Sequence, residues 1–220
     1  FEGSKPKCKT HLQDRLGLPR RDNAPLFGMI SRMTDQKGFD LIAETADAVL
    51  QQDVQIAVLG SGDTRYQSMF QTLSARYPEK VAVSIGFDEP LAHQIEAGSD
   101  IYLMPSRFEP CGLNQMYSLA YGSIPLVRSV GGLADSVVDF NPQNRANSTG
   151  IVFKDYNGPS LFPAIERSIG LYHQPQSRRD DVRSGMRRDS SWRQSAKQYE
   201  LVYRKSQRAI SAPSGDPFVT

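Results

Sequence analysis

Short runs of apolar residues alternate with stretches whose apolar positions recur at helical spacing, and this alternation governs most of the chain. Pro25-Leu26-Phe27-Gly28-Met29-Ile30, Val54 to Leu59, Val81 to Ile85, Ile101 to Met104, Ile124 to Val127 and Gly150 to Phe153 are short and continuous, as strands buried on both faces are. Helical segments lie between them. Residues 38–52 carry Leu41, Ile42, Ala46, Val49 and Leu50 on one stripe, and a second segment runs through Met69, Phe70 and Leu73 to a stop before Pro78. Others cover Leu91 to Ala97, Leu113 to Tyr121 and Leu133 to Val138. Strands that alternate with helices build βαβ units around a parallel sheet. Six of them in series predict an α/β fold with a single Rossmann-like, doubly wound domain.

The two ends depart from this pattern. Residues 1–24 are polar and basic, with Lys5, Lys7, Lys9, Arg15, Arg20 and Arg21. Within them His11-Leu12 and Leu16-Gly17-Leu18-Pro19 predict one short helix closed by a Gly and a Pro. From Ser160 the pattern is helical alone, through Ile165, Ile169 and Tyr172 and then Trp192, Ala196, Tyr199 and Tyr203, whose spacing marks core positions. Residues 211–220 have turn residues and no period, and read as a frayed tail behind a domain of residues 1–210. The chain opens on Phe1 rather than Met, which reads as a piece of something longer.

Composition narrows the function classes. With 39% hydrophobic and 23% charged residues the chain can bury a core and is not disordered. Lys plus Arg exceed Asp plus Glu by only 26 to 24, so clustered positive charge of the kind that binds nucleic acid is not expected. No apolar run is long enough to span a bilayer, and no signal-like segment opens the chain. Cys8 and Cys111 stand too far apart in too large a chain for a disulfide scaffold or a zinc module. His11, His93 and His173 are scattered, so no metal site is expected.

In an open α/β sheet the ligand sits beyond the carboxyl ends of the strands. Three loops there are unusual. Ser31 to Gly38 has neither a dinucleotide glycine pattern nor a phosphate-loop pattern, but brings Arg32 and Lys37 beside a helix start whose N–H groups favour anions. Two cations there suit a diphosphate; two solvated basic residues are the plainer reading. Pro105 to Asn114 offers the carboxylate of Glu109, a fixed turn at Pro110 and a permissive Gly112 before a helix. Glu109 there suits sugar hydroxyls, with the amides near Gly112, Leu113 and Asn114 for hydroxyl or phosphate oxygens; the plainer reading leaves Glu109 serving only the helix dipole. Gly131-Gly132, after the fifth strand, permits close approach to an anion or a plain tight turn. In Gly60-Ser61-Gly62-Asp63, Asp63 reads as an N-cap.

Four segments together resemble the bacterial glycogen synthase and plastid starch synthase family: SRMTDQKGFDL (31–41), LGSGDTRY (59–66), SDIYLMPSRFEPCGLNQMYSLAYGSIPLVRSVGGLADSV (99–137) and SWRQSAKQYELVYR (191–204). The resemblance implies a retaining glycosyltransferase of the GT-B architecture, in which two Rossmann-like domains face each other across a cleft. This chain is similar to the second, nucleotide-sugar-binding domain.

Carried onto this sequence, the resemblance implies that Arg32 and Lys37 bind the donor's diphosphate and stabilise charge on the leaving ADP, and that Glu109 holds the transferred glucose. It implies backbone contacts with the sugar at Cys111, Gly112 and Leu113, a phosphate contact at Asn114, and Phe87 over the adenine ring, with Gly131 and Gly132 completing the donor site. ADP-glucose and ADP are then substrate and product. No cofactor or metal is implied, and the α-glucan acceptor binds through an N-terminal domain whose Lys-Thr-Gly-Gly loop is absent here. The chain alone is expected to bind ADP weakly and to transfer little. The family also implies the cytoplasm of a bacterium, or a plastid in a plant. Val130, Ser190 and Ala120 depart from residues common in the family, and none of them is a donor ligand. A transferase using UDP-glucose and a non-catalytic nucleotide-sugar module are the alternatives.

Overall fold

The computed structural model describes residues 3–141, 143 and 147–211. Its framework is a sheet of six parallel strands: β1 (Leu26–Ile30), β2 (Gln55–Gly60), β3 (Val81–Ile85), β4 (Ile101–Met104), β5 (Ile124–Arg128) and β6 (Ile151–Phe153). Their order across the sheet is β3-β2-β1-β4-β5-β6, the doubly wound order predicted, with the winding reversing between β1 and β4. Register is set by pairs such as Phe27 with Ile56 and Ile101, and Leu103 with Leu126.

Alternation along each strand explains why the strands read as unbroken apolar runs. Phe27, Met29, Val58, Ile101 and Leu103 point to one face, where they pack with Phe39, Leu41, Ile42, Phe70, Leu161 and Ile165. These come from α2 (Phe39–Gln51), α3 (Thr64–Arg76) and α7 (Gly158–Tyr172). Leu26, Ala57 and Leu59 point to the other face, against α1 (Lys5–Leu16) and α4 (Glu89–Gly98) through Leu12, Leu91 and Ile95. Farther along that face Tyr102, Met104 and Val127 meet Leu133 of α6 (Gly131–Ser136). Both faces are therefore core.

Local signals held at several helix ends. Gly17 closes α1 in the left-handed conformation at φ 69°. Asp63 caps α3, accepting from the backbone N–H of Arg65, and Asp88 caps α4 in the same way through Leu91. α5 (Asn114–Tyr121) follows β4, and its N-terminus has no side-chain cap.

Three features differ from the sequence reading. α8 (Pro175–Met186) lies in a stretch with little apolar periodicity, because the face it buries is built from Ser177, Asp181, Val182 and Gly185. Lys9, in the basic N-terminal stretch, is only 5% exposed and forms a 2.7 Å ion pair with Asp100. Residues from Arg188 on form a unit of their own, which holds α9 (Trp192–Ser211). Trp192, Tyr199 and Tyr203, predicted as core, are exposed; the described residues of this unit hold one helix, and a single helix cannot cover its own apolar stripe. The predicted tail lies, from residue 212, outside the described residues.

Candidate functional site: a cleft where the winding reverses

The carboxyl ends of β1 and β4 part where the winding reverses, and the loops that follow them enclose a cleft of about 250 Å³. Its floor is made by the strand ends, Met29, Ile30, Leu103 and Met104. From the loop after β1 come Ser31, Arg32 and Lys37; from the loop after β4 come Ser106, Glu109, Gly112 and Leu113, with Asn114 opening α5. A roomier hollow of about 410 Å³ opens at the opposite end of the sheet among Lys5, Lys9, Asp22 and Asp100. There the Lys9 ammonium is already committed, to Asp100 at 2.7 Å, the Ala24 carbonyl at 2.6 Å and the Tyr172 hydroxyl at 2.9 Å. The cleft is the better candidate because its charged groups face the position where doubly wound sheets take ligands.

Lys37 closes a short 3₁₀ turn, Asp35–Lys37, and the left-handed Gly38 at φ 80° redirects the chain into α2. A Cβ at Gly38 would stand 2.2 Å from the Pro105 carbonyl oxygen, so the loops after β1 and β4 approach backbone to backbone there. Lys37 Nζ meets Glu109 Oε2 at 2.5 Å, and the Ser106 hydroxyl donates to the same oxygen at 3.3 Å. Glu109 is 7% exposed. Arg32 is exposed and reaches only the Gln36 side chain, at 3.4 Å. Two cations and one carboxylate thus face an uncapped helix N-terminus, whose N–H groups add further positive potential.

Asn114 is spent differently from the expectation of a phosphate contact. Its side-chain amide donates to the Tyr102 hydroxyl at 2.8 Å and to the Ile30 carbonyl at 3.1 Å, tying α5 to the floor of the cleft. Burial pushes the Tyr102 phenol up, which keeps it protonated to donate to Ile30. On the loop after β1, the Asp35 carboxyl accepts from Tyr66 and Arg65, and the Tyr66 hydrogen bond is the main cause that holds it below its usual range.

Arg32, Lys37, Glu109, Gly112, Leu113 and Asn114 therefore come together, while Phe87, Cys111, Gly131 and Gly132 are not among the cleft-lining residues. Phe87 follows β3 at the same end of the sheet and is 90% exposed. Cys111 is an exposed free thiol on the Glu109 loop. Gly131 and Gly132 press on that loop from behind. The N–H of Gly132 donates to the Glu109 and Pro110 carbonyls at 3.1 and 3.2 Å, and a Cβ there would lie 1.9 Å from the Cys111 oxygen. The close approach these glycines allow is thus to neighbouring backbone. Sequence reasoning missed Ser106, and also Gln115, whose amide holds the Cys111 and Gly112 carbonyls at 3.2 and 3.0 Å. The four-residue helical spacing of Gln115 from Cys111 was the available signal. Among the described residues no group of three or more His, Cys, Asp or Glu side chains could hold a metal ion.

A parallel sheet wound in this order, with two cations and a buried carboxylate beside its reversal, defines a Rossmann-like α/β domain whose charged cleft sits where such sheets take ligands. Residues 13–180 match the family described as glycosyl transferases group 1, and the chain belongs to that family. It is 50% identical over 200 residues to a glycogen synthase of Anaeromyxobacter dehalogenans, covering 91% of this chain and 42% of that protein. It is 48% identical over 206 residues to glycogen synthase 1 of Methylococcus capsulatus, covering 93% and 42%. Among solved structures, the catalytic domain of starch synthase IV from Arabidopsis thaliana, bound to ADP and acarbose, superposes with a TM-score of 0.80 at 35% identity, over 92% of this chain and 42% of that one. The chain spans well under half the length of these relatives. No described helix is long and apolar enough to cross a membrane.

Proposed function

We propose that this chain is the donor-binding half of a glucan synthase that transfers glucose from ADP-glucose, with retained configuration, to the non-reducing end of an α-1,4-glucan. The observation that carries the reading is the meeting of Lys37 and Glu109 across the cleft, one for the diphosphate and one for the sugar. The glycogen synthases among its relatives and the ADP named with the starch synthase structure support the choice of donor.

On binding, Lys37 leaves Glu109 for the diphosphate and Arg32 joins it, while Glu109 and Ser106 turn to the sugar hydroxyls. The amides at the start of α5 and along Cys111 to Leu113 supply the remaining donors, and Phe87 offers a ring face to the adenine. In the reaction the bond from glucose C1 to the phosphate oxygen breaks, a bond from C1 to the acceptor oxygen forms, and the acceptor's proton leaves with ADP. Arg32 and Lys37 stabilise the charge that gathers on the departing diphosphate, so the reading assigns no step to a metal or cofactor. The acceptor glucan would bind through a partner N-terminal domain, and the bacterial relatives support a bacterial cytoplasm as the place of action.

Titration calorimetry with ADP, UDP and GDP tests this. ADP is expected to bind more tightly than the other two, and an Arg32→Ala, Lys37→Ala double variant to lose at least about tenfold in ADP affinity, since hydrogen bonds to charged groups contribute about 1.5–3 kcal/mol each. An unchanged ADP affinity would show the donor site to be elsewhere; preference for UDP would move the chain to the UDP-glucose-using transferases.

A further inference from the structure

Arg128 and Tyr156 stand behind the cleft and line none of it, yet both reach the loops that do. Arg128 is the last residue of β5. Its guanidinium donates to three carbonyls: Ser106 at 2.9 Å, Arg107 at 2.6 Å and Lys154 at 3.3 Å. The first two belong to the loop after β4 that carries Glu109, and the third to the loop after β6.

Tyr156 continues that third loop. Its hydroxyl has one proton and two acceptors in reach, the Asp35 carbonyl at 2.8 Å and the Asp40 carboxylate, so it sits between the 3₁₀ turn that ends in Lys37 and the start of α2. Its ring lies under two guanidinium groups, Arg107 at 4.7 Å and Arg128 at 5.4 Å. Arg107 is also tied to the loop after β1, through its N–H to the Gln36 carbonyl at 2.9 Å. Burial and the Asp40 carboxylate push the Tyr156 phenol up, so the hydroxyl stays a donor.

We propose that Arg128 and Tyr156 are positioning residues for the sugar-nucleotide site, locking the Lys37 loop against the Glu109 loop and so setting the distance between the diphosphate end and the sugar end. The inference rests on the donor-site reading and deepens it. Its physical ground is the Lys37–Glu109 ion pair, which joins the two loops through the same charges that the donor reading assigns to the ligand. A donor parts that pair. From then on the loops are held in register by the Arg107–Gln36 bond and by the clamp from the loop after β6. A guanidinium suits this task because its planar fork satisfies several carbonyls at once, which an ammonium on a flexible stem does not.

Tyr156→Phe removes the hydroxyl and keeps the ring under both guanidinium groups; Arg128→Lys keeps the charge and loses the fork. For each variant of this chain, calorimetry gives the affinities for ADP and for ADP-glucose, and thermal melting monitors the fold. A misset distance weakens the sugar contact more than the diphosphate contact. The preference for ADP-glucose over ADP is therefore expected to fall about fivefold in each variant, on the scale of one net hydrogen bond. A role in stability alone lowers the melting temperature and leaves that ratio where it was. An unchanged ratio in either variant, or a variant that no longer folds, assigns the residue to the scaffold and overturns the proposal. Failure of the unmodified chain to bind either ligand would instead overturn the donor-site reading.

Discussion

Lys37 and Glu109 neutralise one another across the cleft, so under the proposed donor reading a ligand has to separate two charges before it can use either. This predicts an uneven effect of Glu109→Gln. The change frees Lys37 for phosphate, and ADP is expected to bind several-fold more tightly than to the unmodified chain, on the scale of one charge-assisted hydrogen bond. ADP-glucose gains less, because the carboxylate that accepts from its hydroxyls is gone. Parallel titrations with the two ligands check this, and equal or weaker ADP binding would contradict it. A general rule about doubly wound sheets directs attention to the loops that carry Arg32, Lys37 and Glu109, but it leaves a plainer reading open for each. Only the resemblance to the glycogen and starch synthase family singles them out. Arg128 and Tyr156 were not legible. Each acts on carbonyls of segments that the fold brings near, and a carbonyl leaves no mark in a sequence.

The six strands were readable because each is buried on both faces and so is apolar throughout. α1 shows where this kind of evidence stops. Its mean composition is polar, and besides the buried Leu12 an ion pair fastens it: Lys9 is paired with Asp100 at the start of β4, and the same Asp100 carboxylate accepts the N–H of Leu26 at the start of β1. Lys9→Ala would strand that carboxylate in a buried place. Breaking one side of a buried pair typically costs about 3–5 kcal/mol, and urea unfolding of the variant is expected to show a loss of that order. A surface lysine such as Lys7, given the same change, should stay within about 0.5 kcal/mol of the unmodified chain. α8 escaped the apolar pattern for a related reason, since small and polar residues form its buried face and Gly185 lets it approach Leu119 closely.

For the molecule as a whole, stability should depend on pH through the buried Glu96. Glu96 lies on α4, is 5% exposed, and has a carboxylate oxygen without a hydrogen-bond partner. Burial pushes its pKa up from 4.5 to about 8, opposed in part by Lys5. Between those values the folded chain holds a proton that the unfolded chain has lost, so this group's contribution to stability falls as pH rises from 4.5 toward 8. Glu96→Gln is expected to flatten that slope and to raise the melting temperature at pH 8, by about 2–4 °C for each kcal/mol recovered. Melting curves from pH 5 to pH 8 would show it; parallel curves for the two proteins would refute it.

The strand order has a consequence for the making of the chain. β1 has β2 on one side, but its other neighbour is β4, reached through pairs such as Phe27 with Ile101. A ribosome delivers β2 and β3 well before β4, so the nascent half-sheet waits with an open, apolar edge at β1. That interval, before Ile101 to Met104 emerge, is when the unpaired edge of β1 is most open to mispairing.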